Sequence, residues 1–256
     1  MESNRASLFI GSCLQLFSDQ TVGWLMSGEG AASAGRLERV SIDQIRAYAP
    51  HPRRAMNPEY DRIKQSIREH GLEQPLIVAD SADGAGYVVS AGGNTRLTIL
   101  KELRAETGDD RFATVECVVR PWESDAAVLI AHLRENDLRG ALSFIDRAHA
   151  VVELKKLIEA QEGRSLAQRQ LAARLTQSGY AVSQTLISCM VYAVEVLEPL
   201  MPTACAGGLA RRPVERIRAL ERAAGTVWKD HKLGTKAEFA ETFSALCRRS
   251  DGPDWS

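Results

Sequence analysis

A mixed α+β first half followed by an all-α second half is the fold class this sequence predicts. Three observations carry it. Short apolar runs bounded by turn residues recur up to Arg120. No strand pattern follows Trp122, only stretches with helical spacing. A Gly- and Ser-rich stretch, Ser27 to Gly35, precedes the first ordered-looking segment and reads as a linker.

In the first half, Arg39-Val40-Ser41-Ile42 reads as a short strand. Asn57-Pro58-Glu59 is a helix start, with Asn at the cap, Pro in the first turn and an acid near the positive end. Tyr60, Ile63 and Ile67 then recur at helical spacing until Gly71 stops the helix. Leu76 to Ala79 and Tyr87 to Ser90 are strands around the turn Asp83-Gly84-Ala85-Gly86. A helix follows over about 94–105, and a strand over 113–120 with Val115, Cys117 and Val119 on one face. Later helices are expected over 123–137, 143–161, 166–177, 183–197, 212–223 and 236–248. The resulting division is 1–35 as a loosely ordered leader, 36–140 as the α+β domain, 141–225 as a helical domain and 226–256 as a short helical segment.

Composition narrows the function. The chain has 256 residues with a formal net charge of -1, so any contact with nucleic acid must come from a local basic surface. Cys13, Cys117, Cys189, Cys205 and Cys247 are scattered without zinc-ligand spacing and fit reduced, buried thiols in a cytoplasm. No run approaches the ~20 apolar residues of a membrane span. Leu8 to Met26, interrupted by Gln15, Asp19 and Gln20, lacks the layout of a signal peptide.

Three polar turns stand out in the first half. Gly71-Leu72-Glu73-Gln74-Pro75 joins a helix to a strand. Ala91-Gly92-Gly93-Asn94-Thr95-Arg96 joins a strand to a helix; its glycines admit a phosphate to the backbone and Arg96 can clamp an oxygen. It lacks the Gly-Lys-Ser/Thr ending of a Walker loop. Glu135-Asn136-Asp137-Leu138-Arg139 ends a helix and offers oxygen donors suited to Mg2+. Each alone also suits a capped turn or a solvated helix end.

In this order the three turns resemble the boxes G-x-x-Q-P, G-E-R-R and E-N-x-x-R of the ParB family, within the ParB/sulfiredoxin-like superfamily. The third box continues into the next helix without a gap, through Ala141-Leu142-Ser143-Phe144-Ile145-Asp146. The resemblance covers about 39–223 and implies a CTP pocket. Gly71, Gln74 and Pro75 would shape the nucleoside side, and Gly93, Asn94, Thr95 and Arg96 would cradle phosphates. Asn136 would bind Mg2+ together with Glu135, and Glu135 would assist a weak CTP hydrolysis. The second box departs from the family, since only its Gly and last Arg remain. Sulfiredoxin chemistry is excluded, because Asn94 stands where a nucleophilic Cys is needed.

The second half reads as a helix-turn-helix. Leu166, Leu171, Ala172 and Leu175 form the buried stripe of a first helix, Ser178-Gly179-Tyr180 the turn, and Ser183 the cap of a second. Gln184, Thr185, Ser188 and Tyr192 stand among its apolar residues, the mixture a major-groove reader needs. Residues 161–222 carry eight Arg against five Glu in a chain that is negative overall. Arg169, Arg174, Arg211 and Arg212 are the expected phosphate contacts, beside Ser183, Gln184, Thr185 and Ser188 at the bases.

The resemblance implies a homodimer on double-stranded DNA, away from membranes, near the nucleoid. It also implies a role in plasmid, chromosome or mobile-element partition with a ParA-type ATPase as partner. Two other functions fit the same fold: a transcriptional repressor with a decayed pocket, and a phosphotransferase or nuclease.

Overall fold

The computed structural model describes residues 35–49, 57, 59–81, 84–138 and 142–252. The expected leader up to residue 34, Cys13 and Arg139 lie outside the described residues, as does the domain boundary drawn at 140.

Five strands form one sheet in the order β1-β5-β3-β4-β2. They are β1 (Arg36–Ser41), β2 (Ile45–Arg46), β3 (Leu76–Asp80), β4 (Tyr87–Ala91) and β5 (Thr114–Arg120). β1 lies antiparallel to β5 and β3 antiparallel to β4, whereas β3 runs parallel to β5 and β2 parallel to β4. The alternation expected in β5 holds: Val115, Cys117 and Val119 are buried. Burial of the Cys117 thiol pushes its pKa up to about 11, so it packs as a small hydrophobe.

Helix α1 (Tyr60–His70) and helix α2 (Asn94–Thr107) close over this sheet. Ile67, Leu97, Ile99, Leu100 and Leu103 share one hydrophobic cluster with the strands. The start of α1 differs from expectation. Its cap is Glu59, while the Asn57 side chain accepts from the Glu59 N–H at 3.1 Å and so stabilises the turn ahead of the helix. Gly71 stops α1 as expected, at φ 77°, a conformation that favours Gly.

Lys64 ties α1 to α2. Its ammonium donates to Glu102 at 2.7 Å and Glu106 at 2.6 Å, and Arg68 reaches Glu106 at 2.9 Å. Lys64 holds both carboxyls below the ordinary carboxylate range. A carboxyl lowered in the folded state adds stability above its unfolded pKa and loses it as pH falls through the folded one. The expected result is that Lys64→Met lowers the neutral plateau of a stability-against-pH curve, leaves its acid end nearly unchanged and so shallows the acid limb, as read by urea unfolding at stepped pH.

The remaining helices are α3 (Asp125–Leu138), α4 (Phe144–Glu162), α5 (Gln168–Gln177), α6 (Gln184–Tyr192), α7 (Pro202–Ala206), α8 (Arg211–Asp230) and α9 (Lys236–Arg249). A π-helical turn, Ala193–Leu197, extends α6. Their apolar faces form a second cluster, which Tyr48 joins from the first half and against which Val88 of β4 packs. Helix α3 thus belongs to the helical cluster while seated on the sheet beside β4. The helix expected over 212–223 runs on to Asp230, through Gly225. There, a Cβ would sit 3.3 Å from the Phe239 ring, so the missing side chain lets α9 pack closely instead of ending the helix. Neither the five-residue α7 nor the two-residue β2 was anticipated.

Candidate functional site: the hollow at the glycine loop

The first two polar turns meet. Gly71, Gln74 and Arg96 line a hollow of about 250 Å³, with Arg62, Ser66 and Glu73 on the same wall. Arg96 sits in the first turn of α2, and its Nη1 donates to the Gln74 carbonyl at 3.1 Å. This bond fastens the entry to β3 against the start of α2. Pro75 and Thr95 are half-buried and are not part of the lining.

Both glycines of the loop have positive φ, 54° at Gly92 and 92° at Gly93. Gly93 caps α2 without a side-chain bond to its first N–H groups. An uncapped helix start with a guanidinium one turn away is chemically suited to an anion. At Gly93, a Cβ would lie 2.9 Å from Leu76 and 3.5 Å from Arg96 Nη2. At Gly92, a Cβ would lie 1.9 Å from Glu135 Oε2. Only a residue without a side chain permits that approach, which brings the third box against the second.

Asn136, next to Glu135, donates its Nδ2 to the His132 carbonyl at 2.8 Å. That bond uses the amide nitrogen; the amide oxygen is the side chain's atom suited to a hard cation. The Glu135 carboxylate and the Asn136 amide oxygen are of the ligand type Mg2+ takes, but among the described residues no group of three or more His, Cys, Asp or Glu gathers as a metal site.

Asn94 departs from expectation. Its Oδ1 accepts from the Tyr48 N–H at 3.2 Å and its Nδ2 donates to the Tyr48 carbonyl at 3.1 Å. The side chain therefore clasps the segment that follows β2, instead of facing the hollow.

Arg62 and Ser66 were missed from the sequence, as were Tyr48 and His132. Arg62 and Ser66 are four apart on α1, a spacing that marks a shared face but no particular neighbour. His132 carried a signal, being the lone polar side chain in the apolar run Ala126 to Leu133.

In the helical half, α5 and α6 flank the turn at Ser178–Tyr180, with Leu171, Leu175 and Ile187 buried; Leu166 is buried but precedes α5, and Ala172 is half-buried, so the expected stripe holds in part. Ser183 caps α6, accepting from the Leu186 N–H at 3.2 Å. Gln184 and Thr185 are exposed and Ser188 half-buried. Tyr192 is not on the open face. It is 8% exposed and donates its hydroxyl to Glu221 of α8 at 2.8 Å, with the Arg218 guanidinium over its ring. Arg169 and Arg212 are exposed. Arg174 pairs with Glu162 at 2.6 Å and Arg211 with Glu215 at 2.8 Å, so part of the Arg excess is neutralised within the chain.

A five-stranded mixed sheet with a glycine-loop hollow, continued by a helical region, defines this as an α/β pocket protein with a helical extension. Residues 26–137 match the ParB N-terminal domain, and that part of the chain carries the domain. The chain is 28% identical over 151 residues to a probable chromosome-partitioning protein ParB of Pseudomonas putida, covering 59% of this chain and 47% of that protein. It is 32% identical over 143 residues to stage 0 sporulation protein J of Bacillus subtilis, covering 56% of this chain and 45% of that one. The matches thus span about half the length of these curated relatives. Among solved structures, the Pnob8-like ParB-N domain in its C2221 form superposes with a TM-score of 0.56 at 17% identity, covering 84% of this chain and 95% of that domain. Among the described residues no helix is long and apolar enough to cross a membrane.

Proposed function

We propose that the protein binds a short two-fold DNA site in plasmid, chromosome or mobile-element partition, and that CTP in the glycine-loop hollow controls its state on DNA. The observation that carries this reading is the meeting of Gly71, Gln74 and Arg96 at the uncapped start of α2, with Glu135 against Gly92. In the proposed pocket, Gly71 and Gln74 meet the nucleoside, while the loop backbone and Arg96 meet the phosphates. Glu135 and Asn136 would hold Mg2+, which would neutralise phosphate charge. Asn94 supports the pocket through Tyr48.

For DNA, α5 and α6 act as a helix-turn-helix with Gln184, Thr185 and Ser188 reading bases; Arg169 and Arg212 contact phosphates. A reading helix this short specifies few base pairs, so a homodimer on paired half-sites is part of the proposal. The exposed apolar residues Leu220, Val227, Leu233 and Leu246 on α8, α9 and the turn between them are the surface proposed to join the copies. A ParA-type ATPase is the proposed partner for movement.

The test is electrophoretic shift on genomic fragments selected by the wild-type protein. Gln184→Ala, Thr185→Ala and Ser188→Ala together are expected to erase the preference for selected over random fragments, with thermal unfolding unchanged. Unchanged preference contradicts the placement of the reader. The repressor reading is favoured by one observation, the engagement of Asn94 with Tyr48 in place of a charged phosphate contact. Selective DNA binding without any calorimetric heat from CTP would establish it over the first.

A further inference from the structure

His132 is fully buried on α3, one turn before Glu135 and Asn136. Its Nδ1 lies 3.1 Å from the Gly92 backbone nitrogen and its Nε2 lies 3.1 Å from the Val89 carbonyl oxygen. A backbone N–H can only donate and a carbonyl can only accept. Both bonds therefore form in one state of the ring, the neutral imidazole with its proton on Nε2. The ring stacks on Tyr48, with centroids 5.2 Å apart and planes within 8°. Tyr48 in turn donates its hydroxyl to the Asp125 carbonyl at the head of α3 and is gripped at its backbone by Asn94.

These contacts close a circuit. Gly92 and Asn94 belong to the loop, His132 to the helix carrying Glu135 and Asn136, and Tyr48 bridges them. Gly92 needs the tie. Its backbone is in the left-handed region, and Glu135 occupies the space where a side chain would otherwise limit its motion.

We infer that His132 is a positioning residue for the glycine loop: it anchors the Gly92 N–H and sets the register between loop and the Glu135–Asn136 turn. This inference rests on the proposed nucleotide reading, which supplies the ligand the loop is positioned for. His132 touches no ligand itself; it acts through Gly92.

The test compares the full chain with His132→Asn, which keeps an acceptor near the Nδ1 position, and His132→Leu, which keeps bulk without one. Three readouts are taken: the imidazole nitrogen shifts of wild-type His132, amide exchange at Gly92, and calorimetric affinity for Mg2+–CTP. The expected results are the Nε2–H tautomer, a Gly92 amide that loses protection in the Leu variant, and CTP affinity lowered about threefold to tenfold, the worth of one net hydrogen bond. The Asn variant should recover part of both the protection and the affinity.

An Nδ1–H tautomer, or a Leu variant with wild-type Gly92 protection, overturns the inference. So does equal behaviour of the Asn and Leu variants, which would mark His132 as packing alone. Should the Leu variant fail to fold, the wild-type tautomer and the Asn variant still decide. Absence of CTP binding in the wild type would instead sink the nucleotide reading, while tautomer and amide exchange continue to judge the positioning role.

Discussion

Gly92→Ala should abolish nucleotide binding and lower stability more than Gly71→Ala does. Both glycines have positive φ, 54° and 77°, so either replacement meets a backbone penalty of about 1–3 kcal/mol. They differ in what the new methyl meets. Around Gly71 nothing lies within 4 Å, whereas at Gly92 the methyl would fall 1.9 Å from Glu135 Oε2 and 2.2 Å from its carboxyl carbon. The carboxylate must therefore leave its place, carrying with it one of the two oxygen donors proposed for the cation. The double variant Gly92→Ala, Glu135→Ala removes the collision and leaves the backbone penalty. Its stability loss should be smaller than the sum of the single losses, the sign of two groups that touch. Urea unfolding of the four proteins checks this; additive losses would mean that the loop and the end of α3 are not in contact in solution.

Arg96→Ala is expected to weaken CTP binding about 10-fold to 150-fold, since a hydrogen bond to a charged group is worth ~1.5–3 kcal/mol. Arg96 also donates to the Gln74 carbonyl, so its loss frees the entry to β3 as well as removing a cation. Arg96→Lys separates these effects. Lysine keeps the charge but lacks the planar fork, so it cannot serve a phosphate and a carbonyl together. The Lys variant should fall between wild type and Ala in CTP affinity measured by calorimetry. Equal affinity of all three would remove Arg96 from the pocket.

Much of the fold follows from local patterns. The alternation of Val115, Cys117 and Val119 marked β5, and Gly71 marked the end of α1, because both depend on residues adjacent in the chain. The helix expected over 212–223 runs on through Gly225 to Asp230. Glycine is a common helix stop, but here it faces Phe239, and that contact exists only once α9 has folded back. Tyr192 shares the helical spacing of Thr185 and Ser188, and spacing alone placed it with them on the open face. It is buried because α8 covers that end of α6.

The site was legible to the extent that its residues sit in turns with special backbone needs. Gly71, Gln74 and Arg96 were visible as punctuation between elements, and the fold brings them to one hollow, whose lining Gly93 does not join. What supports them was not. Tyr48, Asn94 and His132 interact across three separate elements, and the role of each is set by partners far away in sequence. Asn94 looked like a phosphate contact from its place in the box; only the closeness of the Tyr48 backbone explains an amide there.

The central claim is that three separated turns make one anion-binding hollow. Amide hydrogen exchange of the full chain, with and without saturating Mg2+–CTP, tests it most directly. The account predicts added protection in 71–74, in 92–96 and around Glu135 and Asn136, appearing together along one binding curve. Protection confined to one of these segments, or arising at the helical half alone, would contradict it.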